Sequence, residues 1–371
     1  NYSINTGASI NPVTNQFQNE TFKSFSAGAN SNITLFNGLA NWKTLQRTKL
    51  NKIANSYRLD KMKDDIALSV ANSYLQILFN KEQLKVQKNQ NLVTKENIKR
   101  TQELIEAGTL PAGDIYELQA TDATQQQQII STENALLISK IALCQTLLLE
   151  EYATFDISDE IIDLPMSNVT NETQEAILTK AKESVKDVKI AMSNVDIAKK
   201  DVSISRSSYL PTLSGFFGYN TRWAESTPFN FADQLSLFDG TAIGLQLNVP
   251  ILNGFATRGR VQRAKINQER SEFQLKQAEL DLERNVYQAY NDVINAKKSF
   301  EAAQKTLEAR KQSFNFSKER FDVGLMNSFD FSQASFAYEN AQSDVLRTKY
   351  DYIFRTKILE FYFGIPLIKK Q

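Results

Sequence analysis

Leu35-Phe36-Asn37-Gly38 and Ile251-Leu252-Asn253-Gly254 are one passage written twice, 216 residues apart. The same offset carries Tyr74 onto Tyr290, Gly108 onto Gly324 and Asp114 onto Asp330 without a gap. An Asn-Gly pair arises easily by chance, but several landmarks on one offset do not, so the chain reads as an internal repeat. Each Asn-Gly also marks a change of hydrophobic period. Before the second one, Thr241, Ile243, Leu245, Leu247 and Val249 alternate with Ala242, Gly244, Gln246 and Asn248, the period-two pattern of a strand. Before the first, Ala27, Ala29, Ser31, Ile33 and Leu35 alternate more weakly with Gly28, Asn30, Asn32 and Thr34.

After each Asn-Gly the period becomes seven. Val286, Val293, Phe300, Leu307, Phe314 and Phe321 follow it, as do Val70, Ile77, Leu84, Asn91, Ile98 and Ile105 in the first half, with Asn91 the polar exception. A strict seven-residue stripe predicts helices that supercoil left-handedly on one another. Neither Gly nor Pro occurs between Gly38 and Gly108, or from Arg260 to Val323. At ~1.5 Å per residue such helices run on the order of 100 Å. Gly108 and Gly324 are placed to stop them. Return helices then start near Asp114 and Asp330, where an acid suits an N-terminal cap and the helix dipole.

The predicted fold is mostly α with a small β region, in membrane or in water: long antiparallel helical hairpins, and four strands. The boundaries are a first repeat at 1–149 (strand hairpin 1–36, helical hairpin 37–149), a linker at 150–171, and a second repeat at 172–363. The second repeat comprises a helix at 172–208, a strand hairpin at 209–252 and a helical hairpin at 253–363; a tail at 364–371 follows. Asn11 to about Lys23 and Trp223 to Asp239 are expected as the loops of the strand hairpins. Apolar and small-polar alternation over about ten residues is the signature of a membrane β-barrel strand, and it equally fits a soluble hairpin. Four strands cannot close a barrel. Several copies of the chain can, removing the open edges, and three copies give twelve strands.

Composition narrows the function classes. The chain has 371 residues, with 43 Lys plus Arg against 42 Asp plus Glu. Near-neutral charge supplies no basic field for nucleic acid. There is no histidine, so the commonest general base and transition-metal ligand is missing. Cys144 is the single cysteine and reads as a small apolar residue of a helix. The run Ala135 to Leu149, with Lys140 and Gln145 inside it, is too short and polar to span a bilayer as a helix. Glu150-Glu151 and Asp159-Glu160 are paired acids without a metal-ligand or basic partner at useful spacing, and read as solvated surface. No phosphate loop of the GxxxxGK[ST] kind is present. No catalytic, cofactor-binding or metal site is predicted, and the chain is not read as an enzyme. Gln125 to Gln128 is expected to line water. The abrupt start at Asn1, inside a strand, predicts further sequence upstream.

Three motifs, in order and in duplicate, identify a resemblance. Tyr209-Leu210-Pro211-Thr212-Leu213-Ser214 begins a strand. Val249-Pro250-Ile251-Leu252-Asn253-Gly254 crosses from strand to helix, with the copy Ile33-Thr34-Leu35-Phe36-Asn37-Gly38 carrying Thr34 where the proline stands. Val323-Gly324-Leu325 followed by Asp330 and Ala334 forms a helix-turn tip, with the copy Ala107-Gly108-Thr109 followed by Asp114. Over nearly its whole length the chain resembles the TolC family of outer-membrane efflux ducts. That resemblance implies a homotrimer with a twelve-stranded β-barrel in the outer membrane of a Gram-negative bacterium and an α-barrel tunnel through the periplasm. Residues 150–171 and the tail after Phe363 would belong to an equatorial belt.

The function so implied is a passive exit duct of a tripartite efflux or type I secretion system. Its partners would be a periplasmic adaptor (membrane fusion protein), an inner-membrane transporter of RND, ABC or MFS type, and outer-membrane lipid, with no nucleic acid and no cofactor. Ala107, Gly108, Thr109, Val323, Gly324 and Leu325 would meet the adaptor. Asp330, with Asp114 and Glu117, would form a charge ring at the entrance. Where members with two rings carry a second acid three residues on, this chain has Gln333, a departure from that pattern. Phe321 and Met326 around the turn leave no salt-bridge latch at those positions. Ile243, Leu245, Leu247 and Val249 would face lipid. The competing class is a soluble coiled-coil scaffold or a periplasmic adaptor; duplicate hairpins, each preceded by strands, favour the duct.

Overall fold

A computed structural model describes residues 1–10, 15–152, 154–158, 168–225 and 227–365. The elements run β1 (Tyr2–Ile10), β2 (Phe17–Asn37), α1 (Ala40–Glu106), α2 (Asp114–Thr146), α3 (Gln174–Ser184), α4 (Lys186–Ser207), β3 (Thr212–Ala224), α5 (Phe231–Leu237), β4 (Gly240–Asn248), α6 (Ala256–Asp322) and α7 (Ser328–Phe363). The two long helices, α1 and α6, have 67 residues each, and their first residues lie 216 positions apart. Two units are distinct: residues 1–54 with 192–274, and residues 55–191 with 275–371.

The first unit is built on one antiparallel sheet in the order β1-β2-β3-β4, leaving β1 and β4 as its edges. Ile33 pairs across to Gly215, and Gly215 to Leu245; Ser31 pairs to Phe217, and Phe217 to Ile243. The register slips once, between Thr34 and Phe36, a bulge that bends a strand near its end. The first predicted loop is shorter than expected, because β2 already begins at Phe17 and pairs with Ile10. The part of that loop at 11–14 lies outside the described residues. β4 ends at Asn248, so Val249 lies beyond the strand in which it was expected; Pro250 next to it has no N–H for the ladder. At the crossing into α1, Gly38 has φ +64°, and a Cβ there would come within 2.6 Å of the Ser207 carbonyl oxygen. Lys43 on the first turn of α1 donates to Ser203 O and Ser207 Oγ of α4.

In the second unit the seven-residue stripes form the core. Val286 and Val293 of α6 pack with Ile177 and Ala181 of α3 and with Tyr352 and Leu359 of α7. Leu75 and Leu78 of α1 pack on Ile353 of α7. Cys144 is wholly buried in α2. The single helix expected at 172–208 is two helices. Val185 is extended, with φ −71° and ψ 133°, and its side chain fills the α3–α6–α7 core. The gain from burying Val185, about 1.5 kcal/mol or more, goes with a break that no Gly or Pro announces.

One seam of this unit is polar. Gln90 Nε2 of α1 donates to Ser335 Oγ of α7 at 2.7 Å, and Asn91 Nδ2 donates to Asp122 Oδ1 of α2 at 2.6 Å. Asn91 was the one polar member of its stripe, and Asp122 is the acid on the facing helix that satisfies it. Gln125 does not follow its neighbours into water: it is buried, and its Nε2 donates to Glu339 Oε2 at 3.2 Å. Within the predicted linker, Asp156 accepts from Lys81 at 2.8 Å and from Lys140 at 3.1 Å. Residues 153 and 159–167 of that linker, including Asp159 and Glu160, and tail residues 366–371 lie outside the described residues.

Candidate functional site

Two surfaces, one in each unit, carry the residues expected to be functional. In the sheet, strand pleating sorts side chains onto two faces. One face carries Ile33, Leu213, Phe217, Tyr219, Ile243, Leu245 and Leu247, and the register sets them side by side. The other carries Asn30, Asn32, Thr34, Ser214, Gly218, Asn220, Gly244 and Gln246, with Phe216 lying across Gly244. The apolar face is uncovered over its middle: Ile243 is 86 % exposed, Leu245 70 % and Leu247 64 %. Val249, just past the strand, is also exposed. Apolar area of this extent, in contiguous rows, marks a face made for another apolar surface.

Toward the loop end the apolar face turns aromatic. Phe231 of α5 packs on Phe25 at 5.6 Å and on Trp223 at 5.7 Å between ring centroids. α5 stands within the loop expected at Trp223 to Asp239. Asn230 caps it, its Oδ1 accepting from Asp233 N at 2.8 Å. Gln234, wholly buried, donates to the carbonyls of Ala224, Thr227 and Phe229 and accepts from Ala224 N. The signal available in the sequence was Asn230 with Asp233 three residues on, a capping pattern; seven residues gave no period to read.

In the second unit the hairpin ends are two helix-turn tips of one design. Gly108 N donates to Ile105 O and Thr109 N to Leu104 O, both at 2.9 Å; Gly324 N donates to Phe321 O at 3.0 Å and Leu325 N to Arg320 O at 2.8 Å. This is the Schellman pattern, and it sets φ to +72° at Gly108 and +74° at Gly324, the left-handed region that a side chain disfavours. A Cβ at either glycine would meet nothing within 4 Å, so the turns project into open space. Ala107 and Thr109 are exposed, and Val323 and Leu325 are 69 % and 70 % exposed.

Beneath the tips lies an aromatic core. Phe321 and Phe331 stack at 4.5 Å, and Phe314 stacks on Tyr338 at 5.2 Å, with Leu118 of α2, Ile98 of α1 and Met326 around them. Arg100 of α1 pairs with Asp322 at the end of α6 at 3.2 Å. Together these bring both hairpin ends to one place. Phe321 and Met326 thus pack the tip from inside.

The acids differ from the expected caps. Asn327 caps α7: its Oδ1 accepts from Asp330 N at 2.8 Å, and its Nδ2 donates to Asp330 Oδ2 at 2.9 Å. Asp330 is therefore in the first turn, exposed, with its carboxylate tied back to the cap. α2 has Gly113 at its cap position with no side-chain hydrogen bond, and Asp114 and Glu117, both half-buried, sit in its first turn. The short amide of Asn327 reaches the third N–H; an acid three residues later can only accept from the cap, which explains the order. Among the described residues there is no cluster of His, Cys, Asp or Glu fit to hold a metal ion, and no helix long and apolar enough to cross a membrane.

Comparison with known proteins agrees with this arrangement. The family model described as Outer membrane efflux protein matches residues 1–147 and 177–363. Outer membrane protein TolC of Vibrio cholerae serotype O1 is 23 % identical over 291 residues, 78 % of this chain and 65 % of that protein. Proteases secretion protein PrtF of Dickeya chrysanthemi is 25 % identical over 245 residues, 65 % of this chain and 50 % of that one. The chain thus spans less than two thirds of the length of these curated relatives. Among solved structures CusC, described as forming a transmembrane channel, superposes with a TM-score of 0.78 at 15 % identity, covering 98 % of this chain and 82 % of its own.

Proposed function

The chain belongs to the outer membrane efflux protein family, whose place is the outer membrane, and on that premise we propose that it works as a passive exit duct. The observation that carries this is the sheet: one face apolar and uncovered, the other polar, with two open edges at β1 and β4. Lipid is the surface that fits the first face. Edge-to-edge closure by copies of the chain satisfies the strands' remaining hydrogen-bonding groups, and three copies give a twelve-stranded barrel whose polar face lines water. An aqueous scaffold or adaptor would have no use for such a face.

In this reading 1–149 and 172–363 are duplicate halves joined by the equatorial linker 150–171 and followed by the tail 364–371, and their hairpins enclose a periplasmic tunnel. The exposed turns at Ala107-Gly108-Thr109 and Val323-Gly324-Leu325 meet the helical hairpins of a periplasmic adaptor. An inner-membrane transporter of RND, ABC or MFS type supplies the energy, since the duct has only shape, wetting and charge to offer. Asp330, exposed in the first turn of α7, repeats in each copy and attracts cations at the mouth, with Asp114 and Glu117 adding charge from α2. The test is conductance of the assembled protein in a planar bilayer. Asp330→Asn leaves assembly intact and lowers the preference for cations over anions; unchanged ion selectivity rejects the charge ring. An assembled protein that does not conduct at all rejects the duct.

A further inference from the structure

A cavity of about 500 Å³ opens between α1, α2 and α7 of the second unit, its lining reaching Glu117 and Phe329 in the first turns of α2 and α7. Its polar lining is made of amides, hydroxyls and two carboxylates. Glu339, only 9 % exposed, takes a single hydrogen bond, from Gln125 Nε2 at 3.2 Å. Gln83 gives its amide N–H to Ser343 Oγ at 2.7 Å, and its buried carbonyl oxygen has no donor. Gln87, 4 % exposed, likewise has a buried carbonyl oxygen with no donor. Glu117 adds a second carboxylate, and among the described residues no lysine or arginine lines the cavity. Two exposed aromatic rings, Phe329 and Phe336, complete its wall.

From this lining we infer that the cavity is a binding site for an organic monocation with N–H donors on a flat apolar body. The charged head supplies the donors that the Glu339 carboxylate, bonded only by Gln125, lacks, and Phe329 and Phe336 offer ring faces to a cation and its body. Burial holds the Glu339 carboxyl above the usual carboxylate range, with Gln125 the only group opposing the rise; a bound cation compensates that missing positive charge. A neutral ligand of the same shape gains nothing from the carboxylate. The inference stands on the cavity alone and holds whether or not the chain conducts.

The test is isothermal titration of the assembled full chain with benzamidinium, and with benzamide as its neutral counterpart. Benzamidinium is expected to bind saturably, at least tenfold tighter than benzamide. Glu339→Gln should weaken benzamidinium at least tenfold and leave benzamide within twofold. Phe336→Ala, at an exposed position that does not endanger folding, should weaken it several-fold, and Glu301→Gln on α6 should change nothing. Equal binding of the two probes, or undiminished benzamidinium binding by both Glu339→Gln and Phe336→Ala, overturns the site. So does the absence of saturable binding in the assembled protein, the result expected if a lysine or arginine of a neighbouring copy fills the cavity.

Discussion

Leu245→Arg separates a lipid-facing sheet from a water-facing one. β4 has nine residues, which at ~3.4 Å per residue and ~40° tilt span about 23 Å along a bilayer normal, close to the ~25 Å apolar band of outer-membrane barrels. Leu245 adjoins the strand's central residue, Gly244, so it lies near the midplane of that band. Its neighbours in register are Gly215 and Ile33, neither of which offers a counter-charge. An arginine at such a depth costs ~2–4 kcal/mol per copy, on the order of a hundredfold in the folding equilibrium. Gln246→Arg, one residue on and therefore on the opposite face, should cost less than about 1 kcal/mol. Folding into phosphatidylcholine vesicles, followed by tryptophan fluorescence against urea, reads both variants. Equal shifts for the two, or a Leu245→Arg protein as stable as the parent, would refute the assignment of the apolar face to lipid.

Three further outcomes follow from the helical unit. Gly324→Ala should destabilise the end of α6 by ~1 kcal/mol because φ is +74° and Ala disfavours that region. Gly113→Ala, at φ −70°, should be neutral; hydrogen exchange at the α6 C-terminus checks both, and equal protection in the two variants contradicts the turn geometry. Phe321→Ala removes the ring stacked on Phe331 and should cost ~3–5 kcal/mol, seen as a lowered unfolding midpoint; a loss under 1 kcal/mol rejects the aromatic core. The Asp156 carboxyl is held down to about 2, first by Lys81 and then by the Ile157 N–H and Lys140. Its folded value lies below the ordinary ~3.9, so its contribution is complete above pH ~4 and is lost as pH falls toward 2. Asp156→Asn should flatten that part of the acid-unfolding curve, by a small amount because the group is half exposed; an unaltered curve removes the pairing.

Features that repeat over many residues were legible in the sequence. The long stripes through Val286 and Val293 could only be helical, and Gly108 and Gly324 marked their ends to within two residues. Alternation at Ile243, Leu245 and Leu247 gave the strand and its apolar face. What escaped was decided by contacts between segments far apart in the chain. Val185 breaks a helix because the α3–α6–α7 core takes its side chain. Gln125 turns inward because Glu339 and Asn91 face it from other helices. The cap of α7 went to Asn327 instead of Asp330, three residues away, a distinction below the resolution of a charge pattern. The lipid face was half legible: the pattern fitted water or membrane, and only the uncovered sheet with its open edges favoured the second.

Whether copies of the chain close one barrel is the central claim, and native mass spectrometry of the full-length protein extracted from outer membranes in mild detergent tests it most directly. Particles of three copies, lost when the detergent is withdrawn, are the predicted result. A monomer or dimer that stays in solution without detergent would contradict the barrel and with it the duct.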